Sequence, residues 1–251
     1  MIYIKTTKEI EIMREGGKIL AEIMKEIIRK SKPGVTTLQL DEMAENLIAF
    51  YRVKPAFKGY EGFKHVLCTS VNENIVHGVP SSYQLKEGDV LGLDLGILYK
   101  NYYLDMAITV GVGRISFEAQ RLIKVAKKAL RLAIKKARVG NTIGDIGNTI
   151  QRFVESQGFS VVRDLCGHGI GKHLHEDPKI PNFGRRGEGE KLKEGMVLCI
   201  EPMITAGDYT LIKSKDGFGY ATKDGSLTAH FEHTIAILKD KTEVLTLINK
   251  K

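Results

Sequence analysis

The chain of 251 residues is 43% apolar, enough for one large core or two small ones, and no apolar run approaches the ~18 residues that would cross a bilayer. Its 38 Lys and Arg against 30 Asp and Glu leave a formal charge of +8, which suits a soluble basic surface or an electrostatic footprint for RNA or ribosomes. Three cysteines without C-x-x-C spacing (Cys68, Cys166, Cys199), and an N-terminus lacking the apolar core of a secretory signal, exclude a disulfide scaffold and point to a reducing cytoplasm.

The first helix is marked by the capping-box spacing of Thr6 and Glu9. Behind it runs a helical stripe, Ile12/Met13, Gly16/Gly17, Ile19/Leu20, Ile23/Met24 and Ile27/Ile28, closed by Pro33-Gly34. Glycines inside a helix lower its propensity, so Gly16 and Gly17 suggest another backbone packed closely there. A second helix follows Thr37, with Leu40, Met43/Ala44 and Leu47/Ile48 on one face. From about residue 65 the pattern is strand-like, through Val66-Leu67-Cys68 and Ile75-Val76. Helices are expected again at about 117–137 and 143–156, and strands thereafter.

The order helix, helix, strands occurs twice, and the sequence repeats with it. Leu85-Lys86-Glu87-Gly88-Asp89-Val90-Leu91-Gly92-Leu93-Asp94 resembles Leu192-Lys193-Glu194-Gly195-Met196-Val197-Leu198-Cys199-Ile200-Glu201 at an offset of 107. Gly34-Val35-Thr36 matches Gly140-Asn141-Thr142 at an offset of 106. The expectation is one α+β domain over 1–251, built as two pseudo-symmetric halves of about 1–112 and 113–251 that share a curved antiparallel sheet with helices on one face.

Each repeat ends in an acid beyond an apolar strand, Asp94 and Glu201. A carboxylate there should be buried, and a buried carboxylate pairs, protonates or binds metal. Asp105 follows Asp94 across a hairpin turn expected at Tyr99-Lys100-Asn101, which would set the two acids nearly opposite. Glu201 and Glu232 repeat the arrangement if their strands are neighbours. Four carboxylates at one place repel unless divalent cations lie among them. Of seven histidines, His168, His173 and His175 fall in one glycine-rich run, His77 sits in Val76-His77-Gly78-Val79-Pro80, and His230 and His233 bracket Glu232. There is no H-E-x-x-H, G-x-S-x-G or P-loop. A thiol nucleophile at Cys166, on the strand face of His168, is the weaker alternative. An oxygen-rich set with imidazole suits Mn, Fe(II), Co or Zn and implies a dinuclear hydrolase of open substrate class.

Over nearly its whole length the chain resembles the type I, bacterial-style methionine aminopeptidases of the pita-bread fold. The likeness is carried by Lys54-Pro55-Ala56-Phe57-Lys58-Gly59-Tyr60, Ser70-Val71-Asn72-Glu73, His77-Gly78-Val79-Pro80, Gly167-His168-Gly169-Ile170-Gly171, Ile200-Glu201-Pro202-Met203 and Phe231-Glu232-His233-Thr234. The resemblance implies five ligands for two divalent ions, Asp94, Asp105, His168, Glu201 and Glu232, with Asp105 and Glu232 bridging. It further implies attack by a metal-bound hydroxide, proton relay by Glu201, and substrate contacts from His77 and His175. The methionine pocket falls on Phe57, Tyr60, Phe63, Cys68, Leu174 and Phe218, although the family often has an aromatic at 174 and Trp at 218. His173 and Met106 also depart from the family's commoner small residues. A monovalent-cation site is implied near Asn72, Asn74 and Thr228. The implied activity is removal of initiator methionine from nascent chains when the second residue is small, by a monomer without membrane or sequence-specific nucleic-acid partners. Transient ribosome docking would involve the basic helix around Lys124–Arg138. The rivals are an Xaa-Pro peptidase or prolidase, which shares the fold and ligands, and a non-catalytic binding module.

Overall fold

The computed structural model describes residues 2–248. Helix α1 (Thr7–Lys30) begins at the expected capping box: Thr6 Oγ1 accepts from the Glu9 amide at 3.3 Å, and the Glu9 carboxylate accepts from the Thr6 amide at 2.8 Å. Helix α2 (Thr37–Phe50) is boxed one residue earlier than its apolar pattern suggested, by Thr36 and Gln39. Helix α3 (Phe117–Lys136) is capped by Ser116, and α4 (Ile143–Ser156) by Thr142 with Asp145. Each helix buries its apolar stripe chiefly against its own half, giving two principal cores, although α3 also packs on β5 and the core beneath α1 takes in Ala236 and Leu245 of the second half.

Strands of the first half are β1 (Lys54–Pro55), β2 (Leu67–Val71), β3 (Asn74–Val76), β4 (Val90–Tyr99) and β5 (Tyr102–Gly111). The second half adds β6 (Ser160–Val161), β7 (Cys166–Gly169), β8 (Glu176–Pro181), β9 (Val197–Ile200) and β10 (Met203–Thr205). It continues with β11 (Leu211–Lys213), β12 (Tyr220–Thr222), β13 (Thr228–His230), β14 (His233–Ile237) and β15 (Thr242–Val244). The antiparallel layer is assembled from four ladders, of which the largest are β1-β4-β2 with β5 on β4, and β15-β14-β9-β7-β8. These two meet where β5 runs beside β14. The Asp105 amide donates to Thr234 Oγ1 at 3.0 Å, the Thr234 hydroxyl donates back to the Asp105 carbonyl at 2.7 Å, and the Glu232 amide donates to the Ala107 carbonyl at 2.8 Å.

The sequence repeat has a backbone counterpart. The Gly34 amide donates to the Leu85 carbonyl (2.8 Å) as the Gly140 amide does to that of Leu192 (3.1 Å). Leu85 and Leu192 return bonds to Val35 and Asn141, and Thr36–Gln84 and Thr142–Lys191 form equivalent isolated bridges. Gly34 and Gly140 both adopt left-handed backbone, φ +90° and +88°, which a side chain would strain.

The glycine pair in α1 is resolved into two roles. A Cβ at Gly17 would lie 2.3 Å from the Leu245 carbonyl oxygen, so backbone does pack there, whereas at Gly16 it would meet side chains, Leu104 Cδ2 at 2.8 Å and Tyr99 Cβ at 3.0 Å. Backbone yields less readily than a side-chain end. Gly17→Ala is therefore expected to cost about 1–3 kcal/mol, and Gly16→Ala less. Urea unfolding of both variants checks this; equal midpoints would contradict it.

Candidate active site

The β4–β5 hairpin fixes the first acid pair. Lys100 and Asn101 both have positive φ (45° and 68°), the conformation of a two-residue turn matched to strand twist. The resulting register sets Asp94 opposite Ala107 and Asp105 opposite Gly96. The acids are thus diagonal neighbours on one face, not nearly opposite as expected, because the turn centre falls between residues 100 and 101. Gly96 serves the site by its missing side chain: a Cβ there would come within 2.8 Å of Phe57 Cε1.

The second pair follows the same logic at a ladder's end. His233 pairs with Ile200, so Glu232 and Glu201 stand at the next opposed positions, just past β14 and β9. On β7, His168 pairs with Cys199, bringing His168 Nε2 to 3.7 Å from Glu201 Oε1. His168 Nδ1 lies 2.9 Å from the Gly169 carbonyl oxygen, which needs a proton on Nδ1 and leaves Nε2 as a free lone pair.

Asp94, Asp105, His168 and Glu232 are buried and Glu201 nearly so. Asp94 Oδ1, Asp105 Oδ1, Glu232 Oε1 and His230 Nε2 have no hydrogen-bond partner among the described residues. Within 4.8 Å spheres the donor atoms group as Asp94-Asp105-Glu232, His168-Cys199-Glu232 and Glu201-His230-Glu232. Burial drives the Asp94 and Glu232 carboxyls well above their ordinary range, with neighbouring carboxylates adding to it. Asp105 is pushed to about 7 by burial and Glu201, and Glu201 to about 8 by burial. Burial pushes His168 and His230 down to about 3. Unpaired carboxylate oxygens facing neutral imidazole, with no cation side chain among them, are the donor set that divalent metal ions fit.

Every residue expected at the site lines one cavity of about 180 Å³: the five candidate ligands, His77, His175, Phe57, Tyr60, Phe63, Cys68, Leu174 and Phe218, joined by Glu61. A wider cleft of about 520 Å³ opens beside it, sharing His77, His168, His175 and Glu201 and walled by residues such as Tyr3, Leu165 and Met203. His77 is held at φ +56° and precedes Gly78, where a Cβ would lie 2.2 Å from the Thr69 carbonyl oxygen. Phe63 and Phe218 meet edge to face at 5.3 Å and close one wall of the pocket. Cys166 lines the outer cleft, and burial raises its thiol, which disfavours the nucleophilic thiolate. Thr228 Oγ1 reaches the Asn72 and Asn74 carbonyl oxygens at 2.9 and 2.8 Å, gathering the backbone oxygens expected to hold a monovalent cation.

Two neighbours lie outside the expected set of five ligands, although His230 is one of the histidines that bracket Glu232 in the sequence. His230 Nε2 lies 3.4 Å from Glu201 Oε2 and 4.0 Å from Glu232 Oε2. His230 is the last residue of β13, and its place two residues before Glu232 in the chain was the available signal. Thr234, two residues after Glu232, ties Asp105 from the other half through both its backbone groups.

The model of metallopeptidase family M24 matches residues 11–239. A methionine aminopeptidase of Clostridium perfringens is 49% identical over 248 residues, covering 99% of this chain and 100% of that one. The crystal structure of methionine aminopeptidase from Thermotoga maritima superposes with a TM-score of 0.96 at 44% identity, covering 98% of this chain and 99% of that one. The prolidase from Pyrococcus horikoshii shares the fold at a TM-score of 0.78 and 24% identity, and this chain covers only 64% of it.

The raised carboxyls fix a sign for the pH dependence of stability. Asp105 and Glu201, near 7 and 8 when folded, still hold protons that the unfolded chain has released, so the metal-free fold loses stability as pH rises from about 6.5 to 8. The lowered histidines act oppositely, but only below their unfolded value near ~6.5. Divalent metal displaces those protons, so its stabilisation should be larger at pH ~8 than at pH ~6.5. Thermal melts with chelator and with Mn or Zn test this; a metal-induced shift that shrinks with rising pH would refute it.

Proposed function

The chain belongs to metallopeptidase family M24, and from that premise we propose that it is a methionine aminopeptidase that removes the initiator methionine from nascent proteins whose second residue is small. The observation that carries this reading is the union, in one 180 Å³ cavity, of the buried donor set with an apolar wall of Phe57, Phe63, Leu174 and Phe218. The cavity has room for one apolar side chain and its amide, not for a chain threading through. That favours an exopeptidase acting on the first residue. The whole chain is read as one catalytic domain.

In this reading Asp94, Asp105, His168, Glu201 and Glu232 would hold two divalent ions of Mn, Fe(II), Co or Zn, with Asp105 and Glu232 as the ligands serving both. When bound there, divalent metal would supply the positive charge that acidifies a water and polarises the scissile carbonyl. Glu201 lines both the inner cavity and the outer cleft, so it is placed to move a proton from the attacking water toward the leaving amine. His175 hydrogen-bonds the carbonyl oxygen as charge develops there, and His77 contacts the leaving side of the peptide, which continues into the outer cleft. Apolar walls exclude bulk water and strengthen those contacts. A monovalent cation at the Asn72 and Asn74 carbonyls would brace the β3 region that leads to His77.

The deciding experiment is a peptide panel with added Mn or Co. Met-Ala-Ser is expected to be cleaved, and Met-Lys-Ser and Ala-Pro-Ala spared. Preference for Ala-Pro-Ala would instead favour a prolidase, and no turnover a binding module. Asp105→Asn or Glu232→Gln should lower the rate by more than ~10²-fold in a folded protein; a variant retaining a tenth of the rate would sink the bridging assignment.

We further infer that the basic charge promotes transient docking at the ribosome, where new N-termini emerge. Lys124, Lys127, Lys128, Arg131, Lys135 and Arg138 are exposed and Lys136 half-buried, on or just beyond the solvent face of α3. Binding by counterion release should weaken steeply between ~50 and ~200 mM salt, while tripeptide turnover barely changes. Replacing four of these residues by Gln should reduce co-sedimentation with ribosomes; unaltered co-sedimentation would return the charge to a solubility role.

A further inference from the structure

Tyr60 is more than a wall of the cavity. Its Oη lies 2.9 Å from His175 Nδ1, and the two rings meet edge to face with centroids 5.4 Å apart. The turn that presents it is tightly built. The Tyr60 amide donates to the Phe57 carbonyl at 2.9 Å, the Phe63 amide to the Tyr60 carbonyl at 2.9 Å, and the Gly59 amide to the Phe63 carbonyl at 2.7 Å. Gly59, Glu61 and Gly62 all have positive φ (91°, 47° and 85°). For Glu61 that conformation is uncommon and persists only where its surroundings enforce it. On its other side, the His175 ring packs against that of His168, centroids 4.5 Å apart. Among the described residues the Tyr60 bond is the one hydrogen bond made by the His175 ring.

We propose that Tyr60 is a positioning residue for the reaction: its hydroxyl donates to His175 Nδ1 and so holds His175 as the Nε2–H tautomer, the form able to donate to the scissile carbonyl oxygen. The direction of the bond follows from elementary acidity. A phenol is a stronger donor than a neutral imidazole N–H, and an imidazole nitrogen is a stronger acceptor than a phenol oxygen. The opposite tautomer would turn a lone pair on Nε2 toward an oxygen that is gaining negative charge, which repels where stabilisation is needed. The tyrosine therefore acts through histidine, and the ring that lines the pocket and the hydroxyl that selects the tautomer are separable. This inference rests on the role given to His175 above.

The test uses the zinc-loaded enzyme, Tyr60→Phe, His175→Gln and the double variant. Nitrogen-15 chemical shifts should show His175 protonated on Nε2 and bare on Nδ1 in the unmodified enzyme, and a mixture of tautomers in Tyr60→Phe. With Met-Ala-Ser, Tyr60→Phe should lower kcat roughly tenfold, as expected for one lost hydrogen bond of above-average worth, with KM and zinc content little changed because the ring remains. In the His175→Gln background Tyr60→Phe should cost nothing further. A proton on His175 Nδ1 in the unmodified enzyme overturns the proposal, as does an unchanged tautomer in Tyr60→Phe. So does an equal loss of rate with and without His175, which would mean that Tyr60 acts through the pocket alone. Failure of the functional reading looks different: the unmodified enzyme would hold the Nε2–H tautomer yet leave Met-Ala-Ser uncut.

Discussion

Mutual repulsion among Asp94, Asp105, Glu201 and Glu232 in a desolvated cavity is the constraint around which this molecule is organised. Each of these carboxyls is pushed upward by burial, and for all but Glu201 neighbouring acids add to the shift. Among the described residues no Lys or Arg side chain joins the cluster, and three of the acids keep an oxygen without a hydrogen-bond partner. Such an arrangement opposes folding unless something external compensates it. Divalent metal provides that compensation, so the instability of the empty cavity and the affinity of the site for metal are two aspects of one cost.

The backbone withstands this repulsion because the acids stand within paired strands or directly at their ends. Asp94 and Asp105 sit within the ten-residue strands β4 and β5, and Glu201 and Glu232 continue the register of β9 and β14. The two halves are then tied at the site itself by the reciprocal bonds of Thr234 with Asp105. A shift of one half against the other would break those bonds and scatter the donors together. The pseudo-twofold arrangement thus places two acidic strand ends face to face, which neither half alone would achieve.

Much of this was legible in the sequence because its causes are local. The capping box announces α1, apolar spacing gives the stripes, and the 85–94 and 192–201 segments resemble each other openly. Family motifs then named the thirteen cavity residues that the fold brings together. What failed or stayed hidden depended on register and long-range packing. The diagonal offset of Asp94 and Asp105 follows from where a two-residue turn centres, and one residue of error there changes which side chains face each other. The break of the antiparallel layer into four ladders leaves no trace in an apolar pattern. Contacts such as His230 with Glu201 and Tyr60 with His175 join segments far apart in the chain, and spacing carries no information about them.

A division of labour follows from the same placement. Groups that hold charge in a fixed geometry are on or beside ladders, where hydrogen bonds on both sides resist displacement. Most groups assigned above to the substrate are on connections: Tyr60 in its left-handed turn, His77 just after β3, His175 just before β8, and Phe218 between β11 and β12, with Cys68 on β2 the exception. Connections are held by fewer hydrogen bonds than ladders, so they resist displacement less. The His175 segment is nevertheless pinned. Lys5 Nζ lies 2.6 Å from Glu176 Oε2 with both side chains buried, and Glu176 Oε1 accepts the His173 amide at 3.0 Å. Removing Lys5 would leave a buried carboxylate unpaired one residue from His175. The N-terminal arm, remote in sequence from every other part of the site, therefore bears on whether His175 stays in place.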